Sequence, residues 1–354
     1  MVRWLALILM LVMADGAFAQ DDLPPRHVIP PDPLFDFSDP NDDPQPRRWP
    51  QPYALTRNDD RAPRYRAWWY PERTVKGQPP KTLGFVRQEL DVPFPILLED
   101  RDILAGSFQI KNMLFQTQAV LPDSGLLDTG RRFPSNLWDI NIGVAYIHRF
   151  DNGWSAGILP RFGSPSDKPF NSLREMNISA IGFVRVPAAY EGDFWNFSLF
   201  YQPNGQVPFP LPGISYDWNP NEDLKMSIGI PFSIMWKPAP DWRVDFSYRP
   251  LTQITSRVSW EARPGFRIYG GFDWDSEGYF LTGRPERRDR FFVQEKRIIG
   301  GVRFDIAERL SLDLSGGYAF DRSFGAGRNP LNYKYDRVDV ASGGFLSAWL
   351  LMPF

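Results

Sequence analysis

The sequence predicts an all-β fold: an antiparallel up-and-down β-barrel that spans a membrane with about twelve strands, in a range of about ten to fourteen. Three observations predict it. From about residue 103 onward, segments of roughly ten residues alternate apolar with polar or small side chains. Several of the apolar faces start or finish on an aromatic ring, the placement that suits a water–lipid boundary. The chain also opens with an export signal, yet no later run approaches the ~18 consecutive apolar residues that a spanning helix needs.

The export signal is short and complete. Arg3 supplies the charged start, "WLALILMLVM" the apolar run, and Ala17 and Ala19 the A-x-A cleavage pattern, so cleavage is expected after Ala19. Residues 1–19 are therefore read as a signal peptide and residues 20–102 as a largely disordered, Pro-rich periplasmic segment. "DDLPPRHVIPPDPLFDFSDPNDDPQPRRWPQP" has no apolar period, and its prolines break both helices and ladders. Within that segment "RYRAWWYPER" is basic and aromatic. It reads as a cluster packed on the nearby barrel, with a docking site as the alternative.

The barrel is expected over 103–354. "WDINIGVAY" sets Trp138, Ile140, Ile142, Val144 and Tyr146 against Asp139, Asn141, Gly143 and Ala145. "LKMSIGIPFSIMW" sets Leu224, Met226, Ile228, Ile230, Phe232, Ile234 and Trp236 against Lys225, Ser227, Gly229, Pro231 and Ser233. "WRVDFSY" and "LSLDLSGGYAF" repeat the pattern, which has the period of a strand and not of a helix. Alternation alone does not separate a membrane barrel from a soluble sandwich. Thirteen stretches read as strands: 107–120, 137–149, 154–163, 175–187, 193–202, 210–218, 224–236, 241–249, 252–261, 265–280, 290–306, 310–322 and 340–354. Single-chain bacterial barrels have an even number, with short turns on one side. Two repairs give twelve: 210–218 becomes loop, or 241–261 becomes one strand passing Pro250. Asn152–Gly153 is read as a type I′ hairpin turn.

The C-terminal "LSAWLLMPF" places Leu346, Ala348, Leu350, Met352 and Phe354 at every second position. This resembles the terminal assembly signal of bacterial outer-membrane β-barrels, from which Pro353 departs as a non-donor. "SDKPF", "PLPGISY", "GFDWDSEGYFLTGRPERRDRFF" and "LSLDLSGGYAFDR" are also similar to an uncharacterised family of such barrels. The resemblance implies location in the outer membrane, contact with its lipids and recognition by the barrel-insertion machinery. It implies no activity.

Composition narrows the chemistry. A net charge of −2 gives no global attraction to nucleic acid. With no Cys and only His27 and His148, thiolate, disulfide and most Ser–His chemistry is excluded. His148 sits by a turn expected on the periplasmic side, the wrong end for a lipid-splitting site facing the outer leaflet. A barrel enzyme is therefore only the third and weakest reading, and no metal site or cofactor is expected.

In "VQEKRIIGGVRFDI", Glu295, Arg297, Arg303 and Asp305 share the face opposite Ile298, Val302, Phe304 and Ile306. Adjacent strands add Arg267, Asp273, Asp275 and Asp313. Arg or Lys facing lipid at mid-depth costs ~2–4 kcal/mol, so these charges are expected in the lumen. Mixed signs leave two readings open: a narrow polar channel for small polar solutes, or a lumen closed by ion pairs in a barrel with a structural or interaction role. "RPERRDR" (284–290) reads as a solvated external loop, with phosphate contact as the alternative. Solute identity and oligomeric state are not legible.

Overall fold

The computed structural model describes residues 63–122, 131–202, 209–284, 286–307, 310–328 and 336–352. The signal peptide with Ala19, most of the Pro-rich segment, and Pro353 and Phe354 lie outside the described residues.

Among the described residues nineteen strands follow one another. They are β1 (Arg64–Thr74), β2 (Thr82–Leu98), β3 (Asp102–Thr117), β4 (Val120–Leu121), β5 (Arg131–Arg132), β6 (Asn136–Arg149) and β7 (Ser155–Ser166). Then come β8 (Asn177–Pro187), β9 (Phe194–Tyr201), β10 (Leu211–Trp218), β11 (Leu224–Gly229), β12 (Phe232–Ala239) and β13 (Trp242–Arg249). The last are β14 (Gln253–Arg263), β15 (Phe266–Tyr279), β16 (Arg290–Ala307), β17 (Leu310–Gly327), β18 (Asp336–Val340) and β19 (Gly343–Leu351). β4 and β5 make a separate small ribbon. β18 and β19 pair with successive parts of β17 and are two pieces of one barrel strand. Every other neighbour pair is antiparallel, and β1 closes the ring on β19, with Arg64 opposite Leu351.

Sixteen strands therefore encircle the barrel, not about twelve. The difference has three sources. β1 and β2 lie inside the stretch read as an extended segment, so the barrel starts at Arg64 and not at 103. The stretch 224–236 is a hairpin, β11 and β12, turning at Ile230–Pro231. Both repairs toward twelve fail, because Leu211–Trp218 is a strand and 241–261 is the hairpin β13–β14. Sixteen is even, so β1 starts and β19 ends at one rim, here the near rim. The Asn152–Gly153 turn is there too, but it is not type I′. Asp151, Asn152 and Gly153 form a three-residue loop in which only Gly153 is left-handed, at φ 80°, and Gly153 N–H donates to Phe150 O.

The outside of the barrel is apolar. Ile142, Ile158, Phe197, Leu199, Val258, Ile298 and Leu314 are exposed on outward positions. Tyr65, Tyr146, Trp154, Trp195, Trp242 and Trp260 ring the near rim, and Phe162, Tyr201 and Tyr248 stand toward the far rim. So long a band of exposed apolar side chains, flanked by aromatic rings, suits hydrocarbon and not water.

The hydrophobic core lies inside the ring, toward the far rim. Tyr70 stacks on Phe85 at 4.2 Å, and Phe115 meets Phe324 edge-on at 5.8 Å. Phe133, in the connection between β5 and β6, reaches inward to Phe291 at 5.4 Å and Phe324 at 5.7 Å. Gln78, in the β1–β2 turn, holds the β4 ribbon by donating to Val120 O and accepting from Val120 N–H. These side chains come from β1–β3, β16, β17 and the β1–β2 and β5–β6 connections, and they fill the interior beside those strands.

Candidate lumen and its two halves

The ring is pinched. β7 and β15 stand opposite each other, with seven strands between them by either route. Yet Ser166 bridges to Phe280, Phe280 N–H donates to Pro165 O at 2.7 Å, and Thr282 donates twice to Asp167 Oδ1. Arg284 joins the same contact by donating to Arg174 O at 2.7 Å and pairing with Glu175 at 3.4 Å. Opposite walls thus touch at the far end, and the interior divides into two halves. One is bounded by β15–β19, β1–β3 and β6, the other by β7–β14.

In the first half the inward charges are paired. Arg297 Nη1 donates to Glu295 Oε1 at 2.7 Å, and Tyr70 Oη donates to the same oxygen at 2.8 Å. Arg297 Nη2 reaches Asp275 and, at 3.4 Å, Asp273. Arg257 forks onto Asp273 with two bonds of 2.8 Å. Beside them Glu277 accepts from Arg87 at 2.7 Å, Lys111 at 3.2 Å and Tyr279 at 2.9 Å. Forked, charge-assisted bonds of this kind hold geometry tightly in a low-dielectric interior. The Arg66 guanidinium lies 3.2 Å over the Trp349 ring, a second way of covering a buried cation.

The lumen candidates named from sequence distribute unevenly over this half. Glu295, Arg297, Asp273 and Asp313 are buried, with Arg297 only 5% exposed. Asp313 accepts from Tyr269 Oη at 2.6 Å. Arg303 and Arg267 are half-buried nearer the near rim, where Arg267 faces Glu261 at 3.6 Å. Asp305 is exposed and accepts from Ser311. The structure brings Glu295, Arg297, Asp273 and Asp275 into one cluster and leaves Arg303, Arg267 and Asp305 outside it.

The second half has a buried ion pair too, Arg185 of β8 with Asp217 of β10 at 3.4 Å, but most of its inward positions carry short polar side chains. Ser227, Ser233, Ser247 and Thr255 stand directly opposite one another across β11–β14. Ser198, Ser215 and Ser259 continue the short polar lining. Arg161 points inward from β7 and is exposed. Arg243 and Asp245 pair at 2.8 Å, with side chains 29% and 19% exposed. Sequence reasoning passed over Arg161, Lys111, Glu277 and Tyr70. The phase of alternation marks the first three as inward, while Tyr70 lies in a strand that was not recognised.

The remaining sequence candidates are on the outside or at the rims. Leu346, Ala348, Leu350 and Met352 share the outward face of β19 and its end, with Phe345, Ser347 and Leu351 turned in. His148 is also outward, at the near rim, bonded through Nδ1 to Asp102 at 2.8 Å, and Asp102 accepts from Tyr146 Oη at 2.7 Å.

No family model matches the chain, and no curated protein sequence matches it. Among solved structures it is similar to an outer membrane channel from Pseudomonas putida F1, at 12% identity and a TM-score of 0.35, over 83% of this chain and 95% of that one. It is also similar to the beta domain of the Bordetella autotransporter BrkA, at 9% identity and a TM-score of 0.29, over 83% of this chain and 99% of the other.

Proposed function

We propose that this chain is an outer-membrane barrel, with the near rim in the periplasm, whose water passage runs through the β7–β14 half alone and carries small polar solutes passively. One contrast carries the reading. The Arg297 cluster of the first half is sealed from solvent, whereas inward Arg161, Arg243 and Asp245 of the second half are not, although the Arg185–Asp217 pair near its near rim is buried as well. The paired network is then the wall of the passage and not its lining. Lipids cover the apolar outside, the insertion machinery reads the outward face of β19, and no catalytic step is involved. Mixed signs along Arg161, Arg243 and Asp245 imply weak ion preference.

Planar-bilayer recording of the detergent-purified protein, shown folded by a heat-dependent gel shift, tests this. Discrete conductance steps are expected, and Arg161→Glu with Arg243→Glu should move the reversal potential toward cation preference. Silence from folded protein would overturn the channel reading. The filled half favours the second reading in that event: a closed barrel acting through its far-rim loops.

A further inference from the structure

The wall of this barrel is not of one height. β16 and β17 have 18 residues each and β2 has 17, but β11 has six and β12 and β13 have eight. A strand rises ~3.3 Å per residue and tilts by about 35–45°, so an 18-residue strand stands about 45 Å along the membrane normal. Six residues run from Trp236, near the near rim, to Ile230 at the hairpin tip. That is about 20 Å of strand and about 15 Å of height, against an outward apolar band of ~25 Å in barrels of this kind.

The tip is a real end. Gly229 has φ 149°, and a Cβ there would lie 2.1 Å from Ile214 O, so the chain turns sharply against β10. Its chemistry agrees with its height. No charged residue occurs between Lys225 and Lys237. Ile228 and Ile230 are 47% and 55% exposed. At the neighbouring β13–β14 turn exposed Leu251 holds φ 64°, a conformation that water-facing turns give to Gly or Asn, while the charge that flanks it, exposed Arg249, has the inward phase of Ser247. Elsewhere on the far rim, in the loops after β15 and β17, Arg287, Arg288 and Arg328 are exposed.

We propose that the β11–β12 and β13–β14 tips end within the acyl chains of the outer leaflet, so that the bilayer is thinned beside this low wall. A hydrophobic stretch shorter than the local hydrocarbon draws the lipid down to meet it. The inference concerns the lipid-facing surface and stands apart from whether the passage conducts.

The protein has no cysteine, so a single introduced one is unique. Nitroxide labels at Ile230→Cys, Ile298→Cys and Arg287→Cys are compared in vesicles of dimyristoylphosphatidylcholine and of dieicosenoylphosphatidylcholine. Relaxation by oxygen against relaxation by a water-soluble nickel chelate reports depth. In both bilayers Ile230→Cys should be oxygen-dominated, like Ile298→Cys on the tall wall, while Arg287→Cys should be chelate-dominated. A chelate-dominated label at Ile230 would overturn the proposal. Leu251→Cys gives the same reading at the adjacent tip should Ile230→Cys fail to fold.

Discussion

Arg297→Met is expected to cost about 3–5 kcal/mol of barrel stability, because it strands buried carboxylates without their cation. Glu295 and Asp275 each bond Arg297 directly, and Asp273 is shared between Arg297 and Arg257. The loss comes from the groups left behind and not from the pair itself, whose Coulomb attraction is largely offset by desolvation. Arg297→Met combined with Asp275→Asn and Glu295→Gln should therefore recover much of it. Urea unfolding in detergent micelles, followed by the heat-dependent gel shift, gives both midpoints. A single variant as stable as the parent would mean that water reaches this cluster.

Phe324→Ala should cost a similar amount, about 3–5 kcal/mol, for a different reason. Phe324 is fully buried and packs against Phe85, Phe115 and Phe133 at 6.0, 5.8 and 5.7 Å. Truncation leaves a cavity among three rings carried by β2, β3 and the β5–β6 connection, none of which can collapse without shifting its backbone. Phe246→Ala is the comparison. Phe246 points outward beside Phe232, away from the core, and the loss in the same unfolding assay should be smaller. Equal losses would contradict the placement of the core inside the ring.

Much of the fold was legible. Outward faces such as Trp138–Tyr146 and Leu310–Phe320 alternate cleanly because one side meets hydrocarbon and the other a polar interior. The strand count was not legible, and the reason is geometric. In β11–β12 Leu224 faces Trp236 and Ser227 faces Ser233, a register centred on Ile230. Such a hairpin returns with its parity unchanged, so the apolar period runs through the turn without a break, and Pro231 was the only sign of it. β13–β14 is centred on Leu251 in the same way, which is why a single strand through Pro250 looked acceptable.

β1 and β2 were missed because they violate the alternation itself. β1 turns Trp68 and Tyr70 into the core and Trp69 out, so both faces are aromatic. β2 carries Pro93 and Pro95, which argue against a strand. They lie past Asp91, the last residue that β1 reaches, where among the described residues no strand lies beside that edge and a missing N–H leaves no ladder bond unmade.

The inward direction of Glu295, Arg297 and Asp273 was legible from the cost of a charge in lipid. Which charges meet water was not. That depends on the contact of β7 with β15, a pairing of distant segments that no local pattern encodes. A sixteen-stranded ring leaves an aqueous channel unless something fills it. Here aromatic rings and ion pairs fill one half, and the proposal assigns the passage to the serine-lined half.

The division of the lumen can be tested on the working protein with one recording. Ser247→Cys and Ala319→Cys both place a thiol on an inward position, in the serine-lined and the filled half respectively. A charged methanethiosulfonate reagent is added while single-channel current is followed. Current should fall in steps with Ser247→Cys and stay unchanged with Ala319→Cys. Block at Ala319→Cys, or none at Ser247→Cys, would contradict a passage confined to β7–β14.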